Sequence, residues 1–228
     1  VFSLFRIDSG AFRMNSFRPI LSALALACSL AATADEAEKF RNIFELAARG
    51  SATEVGAAIS QQANILIRSN NGGSALMFAA KYNPDPAVIK ALIKAGLDVN
   101  EQDLDQDTPL MYAARHNVRV EVITALLDAG AKINARNKAG LTPLMQAAEG
   151  NSNPEVIALL ISRKAKVNEQ ANNGVTALML AARFGRNADA VIQLLRAKAS
   201  VDEHDNSGRT ALMQAAEANA DPKVIGAL

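Results

Sequence analysis

Five short stretches of this 228-residue sequence recur at one fixed interval of 34 residues. Their anchors are Ser74, Thr108, Thr142, Thr176 and Thr210. Behind each anchor stand a leucine (Leu76, Leu110, Leu144, Leu178, Leu212), a methionine (Met77, Met111, Met145, Met179, Met213) and a pair of alanines, Ala147 and Ala148 in the middle copy. Self-similarity at a period of roughly 20–50 residues marks stacked units, none of which can bury its apolar face alone. The chain is therefore restricted to an elongated array in which each unit touches only its neighbours.

Within a unit, threonine followed by Pro109 or Pro143 is a helix start. The hydroxyl accepts an orphan backbone N–H, and proline had none to offer. The alanine pairs leave room for neighbouring helices to approach closely. About two turns on come Asn83, Asn117, Asn151 and Asn219, each expected in the left-handed conformation that ends many helices. A second helix opens beside Pro86, Pro154 and Pro222, and its apolar residues, Val88, Ile89, Leu92 and Ile93 in one copy, share a stripe at helical period. Gly96 and Gly130 stop it as left-handed caps, and polar tips bearing Gly140, Gly174 and Gly208 follow. Lys164 and Lys198 occupy the cap position and Gln106 the tip position. Each must turn left-handed at a cost of about 1 kcal/mol or change the turn. The reading is an all-α solenoid of helix-turn-helix units joined by β-hairpin loops.

The chain resembles the ankyrin repeat family. That family's Thr-Pro-Leu-His-x-Ala-Ala signature stands here as Thr108-Pro109-Leu110-Met111-Tyr112-Ala113-Ala114 and again from Thr142 to Ala148. Its later Gly-Ala-x-Val-Asn stands as Gly130-Ala131-Lys132-Ile133-Asn134. The resemblance covers about Lys39 to Leu228. Methionine replaces the family's histidine in all five copies, and the extra residue of the 34-residue period falls in the turn between the helices.

Residues 1–34 stand apart from the array. Arg6, Arg13 and Arg18 precede the apolar run Ile20 to Ala27, and Ala32-Thr33-Ala34 follows. A basic start, a short apolar core and small residues at an A-x-A site predict a signal peptide over 14–34, starting at Met14 and cut after Ala34. The run is too short and too rich in small residues for a membrane span. Cys28, the only cysteine, lies inside this leader. Leu26-Ala27-Cys28 loosely resembles a lipoprotein cleavage site, but Ala25 stands where that motif favours leucine. An ordinary leader residue is the preferred reading. The expected location is periplasmic or secreted, with no membrane insertion after leader cleavage.

Residues 35–71 read as an atypical N-terminal repeat, with Phe40, Ile43, Phe44, Ala47 and Ala48 on one stripe and a polar outer face from Glu36, Glu38, Lys39, Arg41 and Glu45. Residues 72–228 are the array. Its last repeat is incomplete at Leu228, so Leu212, Val224 and Ile225 are expected to be partly uncovered and the chain to be longer. Of 24 basic and 23 acidic residues, the leader takes Arg6, Arg13, Arg18 and Asp8, which leaves a near balance. Such a balance gives no general drive toward nucleic acid or anionic lipid.

Little in the sequence carries chemistry. His116 and His204 fall on different kinds of element, and no cysteine remains after the leader, so no zinc site is expected. Methionine thioethers suit Cu(I), but stacked repeats would hold successive methionines about 8–10 Å apart. That column reads as core. The tip from Glu101 to Asp107 has alternating carboxylates but lacks the central glycine and closing glutamate of a calcium loop. No catalytic residues, no metal and no cofactor are expected.

A surface remains. The resemblance implies that partners bind at the hairpin tips, just before the anchor and just after the alanine pair. These positions carry Lys81 and Tyr82; Leu104, Asp105, Asp107, Arg115 and His116; Lys138, Leu141 and Glu149; Asn172, Asn173, Val175, Arg183 and Phe184; and Arg209 and Glu217. Tyr82, Arg115, Arg183 and Phe184 stand out, because tyrosine and arginine are common hot-spot types. The expected function is a non-catalytic scaffold that binds another protein after export. The alternative is a repeat module of a larger polypeptide with a catalytic or membrane domain beyond Leu228.

Overall fold

A computed structural model describes residues 43–61, 63–184, 188–218 and 221–228. The expected leader, its cleavage site, Phe40 and Asn219 lie outside them. Two helices alternate along the chain. The inner row comprises α1 (43–49), α3 (Ala75–Tyr82), α5 (Pro109–His116), α7 (Pro143–Gly150), α9 (Ala177–Phe184) and α11 (Ala211–Glu217). The outer row comprises α2 (Ala52–Ser60), α4 (Pro86–Lys94), α6 (Val120–Asp128), α8 (Pro154–Ser162), α10 (Ala188–Arg196) and α12 (Pro222–Ala227). Among the described residues there is no strand.

Every anchor caps as its chemistry dictates. The hydroxyls of Ser74, Thr108, Thr142, Thr176 and Thr210 accept the backbone N–H of the methionine three residues on, at 3.2–3.3 Å. Pro109 and Pro143 open α5 and α7, and Pro86, Pro154 and Pro222 open outer helices. Ser51 forms a reciprocal capping box with Glu54 at the start of α2. From α3 to α9 the leucine, the methionine and both alanines of each copy are buried. Burial of each leucine or methionine contributes roughly 1.5–3 kcal/mol. Successive inner helices pack more extensively than successive outer ones, so the stack curves with the inner row on its concave side. The alanine pairs permit that approach.

The asparagines correct the expectation made of them. Asn83, Asn117 and Asn151 are extended, with ψ of 127°, 120° and 132°, and none is left-handed. Their side chains stitch repeat to repeat. Asn117 Nδ2 donates to Ala80 O at 3.0 Å and Asn83 O at 2.8 Å, while its Oδ1 accepts from the Arg119 N–H. Asn83 reaches Ala47 O and Gly50 O in the same way, and Asn151 reaches Ala114 O and Asn117 O. The three-residue turn between helices needs an extended residue to redirect the chain, and a carboxamide there satisfies carbonyls of the previous repeat that a backbone group cannot reach. A second ladder runs forward: Asn100 bonds Gly130 O and the Lys132 N–H, and Asn168 bonds Lys198 O and the Ser200 N–H.

The left-handed positions hold whatever residue occupies them. Gly96 and Gly130 sit at φ 106° and 93°, and Lys164, Lys198 and Gln106 adopt φ of 74°, 63° and 63° without changing the turn. Each hairpin tip is a tight loop, in one case closed by Asp103 N–H to Asp107 O and Gln106 N–H to Asp103 O. Backbone bonds from Leu104, Lys138, Asn172 and Asn206 tie each tip to the preceding one. At the C-terminal end Met213 is 51% exposed where Met179 is 1%. Leu212 and Ile225 are exposed as expected, whereas Val224 is fully buried because it faces α10 and α11.

Candidate protein-binding face

The concave side is built from the tips and the C-terminal ends of the inner helices. Three tips are organised by the side chain of their first residue, whereas the tip that starts at Ala171 closes through backbone bonds and Asn173. Asp103 Oδ1 accepts from the Asp105 and Asp107 N–H groups at 2.9 and 2.8 Å, and Oδ2 accepts from the Tyr112 hydroxyl at 2.7 Å. Asp205 repeats the arrangement with Ser207, Arg209 and Gln214. Asn137 holds Ala139 and Leu141 and reaches sideways to Asp107 Oδ1 at 2.7 Å. The Asp103 and Asp205 tips are thus pinned to the helices below them, and the Asn137 tip to the tip beside it.

Electrostatics follow from these contacts. Burial, then the bond to the Asp103 carboxylate, pushes the Tyr112 phenol well above its usual range. Burial raises the Asp107 carboxyl against the opposing bond from Asn137, and neighbouring Asp103 and Asp105 add to the rise. The Arg209 backbone N–H holds Asp205 below the usual carboxylate range.

Aromatic residues gather toward the N-terminal end. The Phe44 and Phe78 rings lie 4.8 Å apart and Phe78 and Tyr82 6.3 Å apart. The Lys81 ammonium stands 4.9 Å from the Tyr82 ring and 5.7 Å from the Tyr112 ring. Two hollows flank Tyr112. One of about 70 Å³ is lined by Asn71, Gly73, Met77, Phe78, Lys81, Tyr82 and Tyr112. The other, about 300 Å³, is lined by Asp107, Met111, Tyr112, Arg115, His116 and Gln146.

The seventh residue after each anchor gives a charged row: Lys81, Arg115, Glu149, Arg183 and Glu217. Arg115 pairs with Glu149 at 2.9 Å and donates to Gln146 Oε1 at 2.9 Å. Glu217 pairs with Arg209 at 3.2 Å. Arg183 lies over the exposed Phe184 ring at 4.9 Å, so the phenylalanine's cover comes from its own neighbour. Burial first, and then the charges of Lys81 and Arg115, push the His116 imidazole down to about 4.

Most sequence-selected positions present side chains on this face. Tyr82, Asp105, His116, Lys138, Asn172, Asn173, Arg183, Phe184 and Glu217 are exposed, and Leu104 at the acidic tip is 61% exposed. Lys81, Asp107, Arg115, Leu141, Glu149 and Arg209 are half-buried. Val175 departs from the pattern: at 8% exposure it belongs to the core. Sequence reasoning missed Phe78, Tyr112 and Gln146, the fourth residues after their anchors. The signal was present, because that position varies (Phe78, Tyr112, Gln146, Leu180, Gln214) inside a stretch that is otherwise nearly constant.

The family model described as ankyrin repeats (3 copies) matches residues 43–137 and 144–226. The chain belongs to the ankyrin repeat family. A second model, ankyrin repeats (many copies), matches residues 119–161. No match was found among curated proteins. Ankyrin repeats are generally protein-binding modules and non-catalytic scaffolds. In this ankyrin chain the concave face just described carries side chains that differ from copy to copy.

Proposed function

We propose that this ankyrin chain is a non-catalytic scaffold that captures another protein on its concave face and works after export, in the periplasm or outside the cell. One observation carries the binding reading. From copy to copy the capping, leucine, methionine and alanine positions barely change, whereas the inner-helix ends run Lys81-Tyr82, Arg115-His116, Glu149-Gly150 and Arg183-Phe184. A uniform frame presenting non-uniform side chains is what recognition of one shaped partner requires. The export reading rests on the basic start, the apolar run and Ala32-Thr33-Ala34, and the mature chain would begin at Asp35.

The test is affinity, measured with thermal stability, for the partner recovered from the exported fraction. Arg183→Glu and Phe184→Ala should weaken binding by about thirtyfold, the effect of a hot-spot loss of about 2 kcal/mol. Lys90→Glu, on an exposed position of α4, should do little. Arg115→Glu is a poor test, because it would set a carboxylate against Glu149. Loss of binding confined to the outer-helix variant would place recognition on the other face. Mass spectrometry of the mature N-terminus tests export.

A further inference from the structure

We propose that the hollow between Phe78, Tyr82 and Tyr112 seats a single acidic side chain, aspartate or glutamate, of the bound protein, with Lys81 as its counter-ion. The inference rests on the concave-face reading and names the chemistry of the partner there.

Charge is the first reason. Lys81 is the only charged residue lining this hollow. Its neighbours one repeat away in the row are Ala47 and Arg115, so no carboxylate answers it there, whereas Arg115 is answered by Glu149. Among the described residues no carboxylate comes within 4.0 Å of Lys81, and its ammonium rests on two tyrosine ring faces instead. A cation held over aromatic rings is oriented and partly dried, which strengthens its attraction for an incoming carboxylate.

Hydrogen bonding and size agree. Asn71, which lines the hollow, donates one Nδ2 hydrogen to the Tyr112 oxygen at 3.3 Å, and its amide carries a second hydrogen for an incoming carboxylate. A space of about 70 Å³ is far below the roughly 300–1,000 Å³ of small-molecule pockets. It suits the head of one side chain. The adjacent His116 imidazole is lowered first by burial and then by Lys81 and Arg115, so the Lys81 charge is felt at that distance.

The neighbouring tip argues against a polyanion. Asp103 and Asp107 stand beside Tyr112, and Asp105 on the same tip is exposed. They would repel a nucleic-acid backbone or an acidic run, but they tolerate one carboxylate flanked by neutral or basic residues. Apolar neighbours of that acidic residue would find the exposed Tyr82, which lines the hollow, and the exposed Leu104, whose backbone bonds to Asn71.

The experiment is an NMR titration of the full chain with the blocked pentapeptide Leu-Leu-Glu-Leu-Lys, its glutamine-for-glutamate counterpart and an oligothymidylate. The glutamate peptide should shift resonances of Lys81, Tyr82 and Tyr112. Replacing its glutamate by glutamine, or making Lys81→Met, should weaken binding about tenfold, the value of one charge-assisted bond. Lys81→Arg should keep most of it, and Met preserves the unbranched stem if folding is a concern. Equal affinity for the two peptides, no loss in Lys81→Met, or no shifts up to millimolar peptide would overturn the inference. So would tighter binding of the oligothymidylate. Shifts centred on Arg183 and Phe184 with Lys81 silent would overturn it and leave the concave-face reading standing, whereas shifts on the outer-helix residues Lys90 and Glu121 would remove both.

Discussion

Tyr112 donates its phenolic hydrogen to Asp103 Oδ2 at 2.7 Å, from nine residues further along the chain. The bond joins an inner helix to the hairpin tip that precedes it, and Gln214 makes the same link to Asp205 at 3.0 Å. Residues that would otherwise be read as loop and helix are one rigid unit. The variable positions ride on that unit, which limits how much order must be gained when a partner binds.

Tyr112→Phe tests the link directly. The ring stays, while the bond to Asp103 and the acceptor for Asn71 are lost. Asp103 keeps its two backbone donors, so the expected cost is about 1.5–3 kcal/mol, the range for a bond to a charged acceptor. Denaturant unfolding gives the total. Hydrogen exchange should quicken at Asp105 and Asp107 more than in α7.

The asparagine ladder makes a second prediction. Asn117→Ala removes bonds to Ala80 O, Asn83 O and the Arg119 N–H from a buried site, and leaves two carbonyls of the previous repeat without that partner. A loss of about 2–4 kcal/mol is expected from groups left unsatisfied. Asn100→Ala, whose bonds lie in the exposed forward ladder, should cost about 1 kcal/mol or less because water can replace the amide. Equal losses would mean that burial does not decide the matter.

The two asparagine roles also show where the sequence stops being legible. Thr142, Pro143 and the paired alanines declare their jobs locally, since a cap bonds three residues ahead and a helical stripe repeats within one element. Asn117 bonds 37 and 34 residues back, and nothing in its neighbours says so. Its recurrence was readable, but its partners were not. The same limit applies to the binding face. Arg183 and Phe184 could be placed there by register, but that Arg115 is already answered by Glu149, and Lys81 by no carboxylate among the described residues, depends on distances between repeats. Val175 occupied a register position on the face and still turned into the core.

Three non-glycine residues in left-handed turns predict a gain. Gln106, Lys164 and Lys198 hold φ of 63°, 74° and 63°. Glycine relieves a strain of about 1–2 kcal/mol but returns about 0.5–1 kcal/mol of chain entropy to the unfolded state. Lys164→Gly and Lys198→Gly should therefore each stabilise by about 0.5–1 kcal/mol, read as a shift of the denaturation midpoint at unchanged slope. Ala129→Gly, beside the glycine cap that α6 already has, should destabilise instead.

His116 makes stability depend on pH in a window that can be named. Its imidazole titrates at about 4 in the folded chain against an ordinary 6.5, because it is partly dried and faces the cations Lys81 and Arg115. Asp107, across the same hollow, and Glu149, paired to Arg115, are the nearby acids. Between those pH values the unfolded chain takes up a proton that the folded chain refuses. The contribution is fully present above pH 6.5 and is lost as the pH falls toward 4. His116→Gln removes the titrating group and keeps a polar side chain of similar reach, so the two proteins should be closely matched at pH 7.5 and the variant should be the more stable at pH 4.5. The difference stays modest because His116 is only partly dried, part of its surface still meeting solvent that screens its neighbours. Urea unfolding of both proteins across pH 4–7.5 measures it, and subtracting one curve from the other cancels the carboxylates they share. Parallel curves would mean that the imidazole lies in ordinary solvent and that neither burial nor the charges of Lys81 and Arg115 act on it.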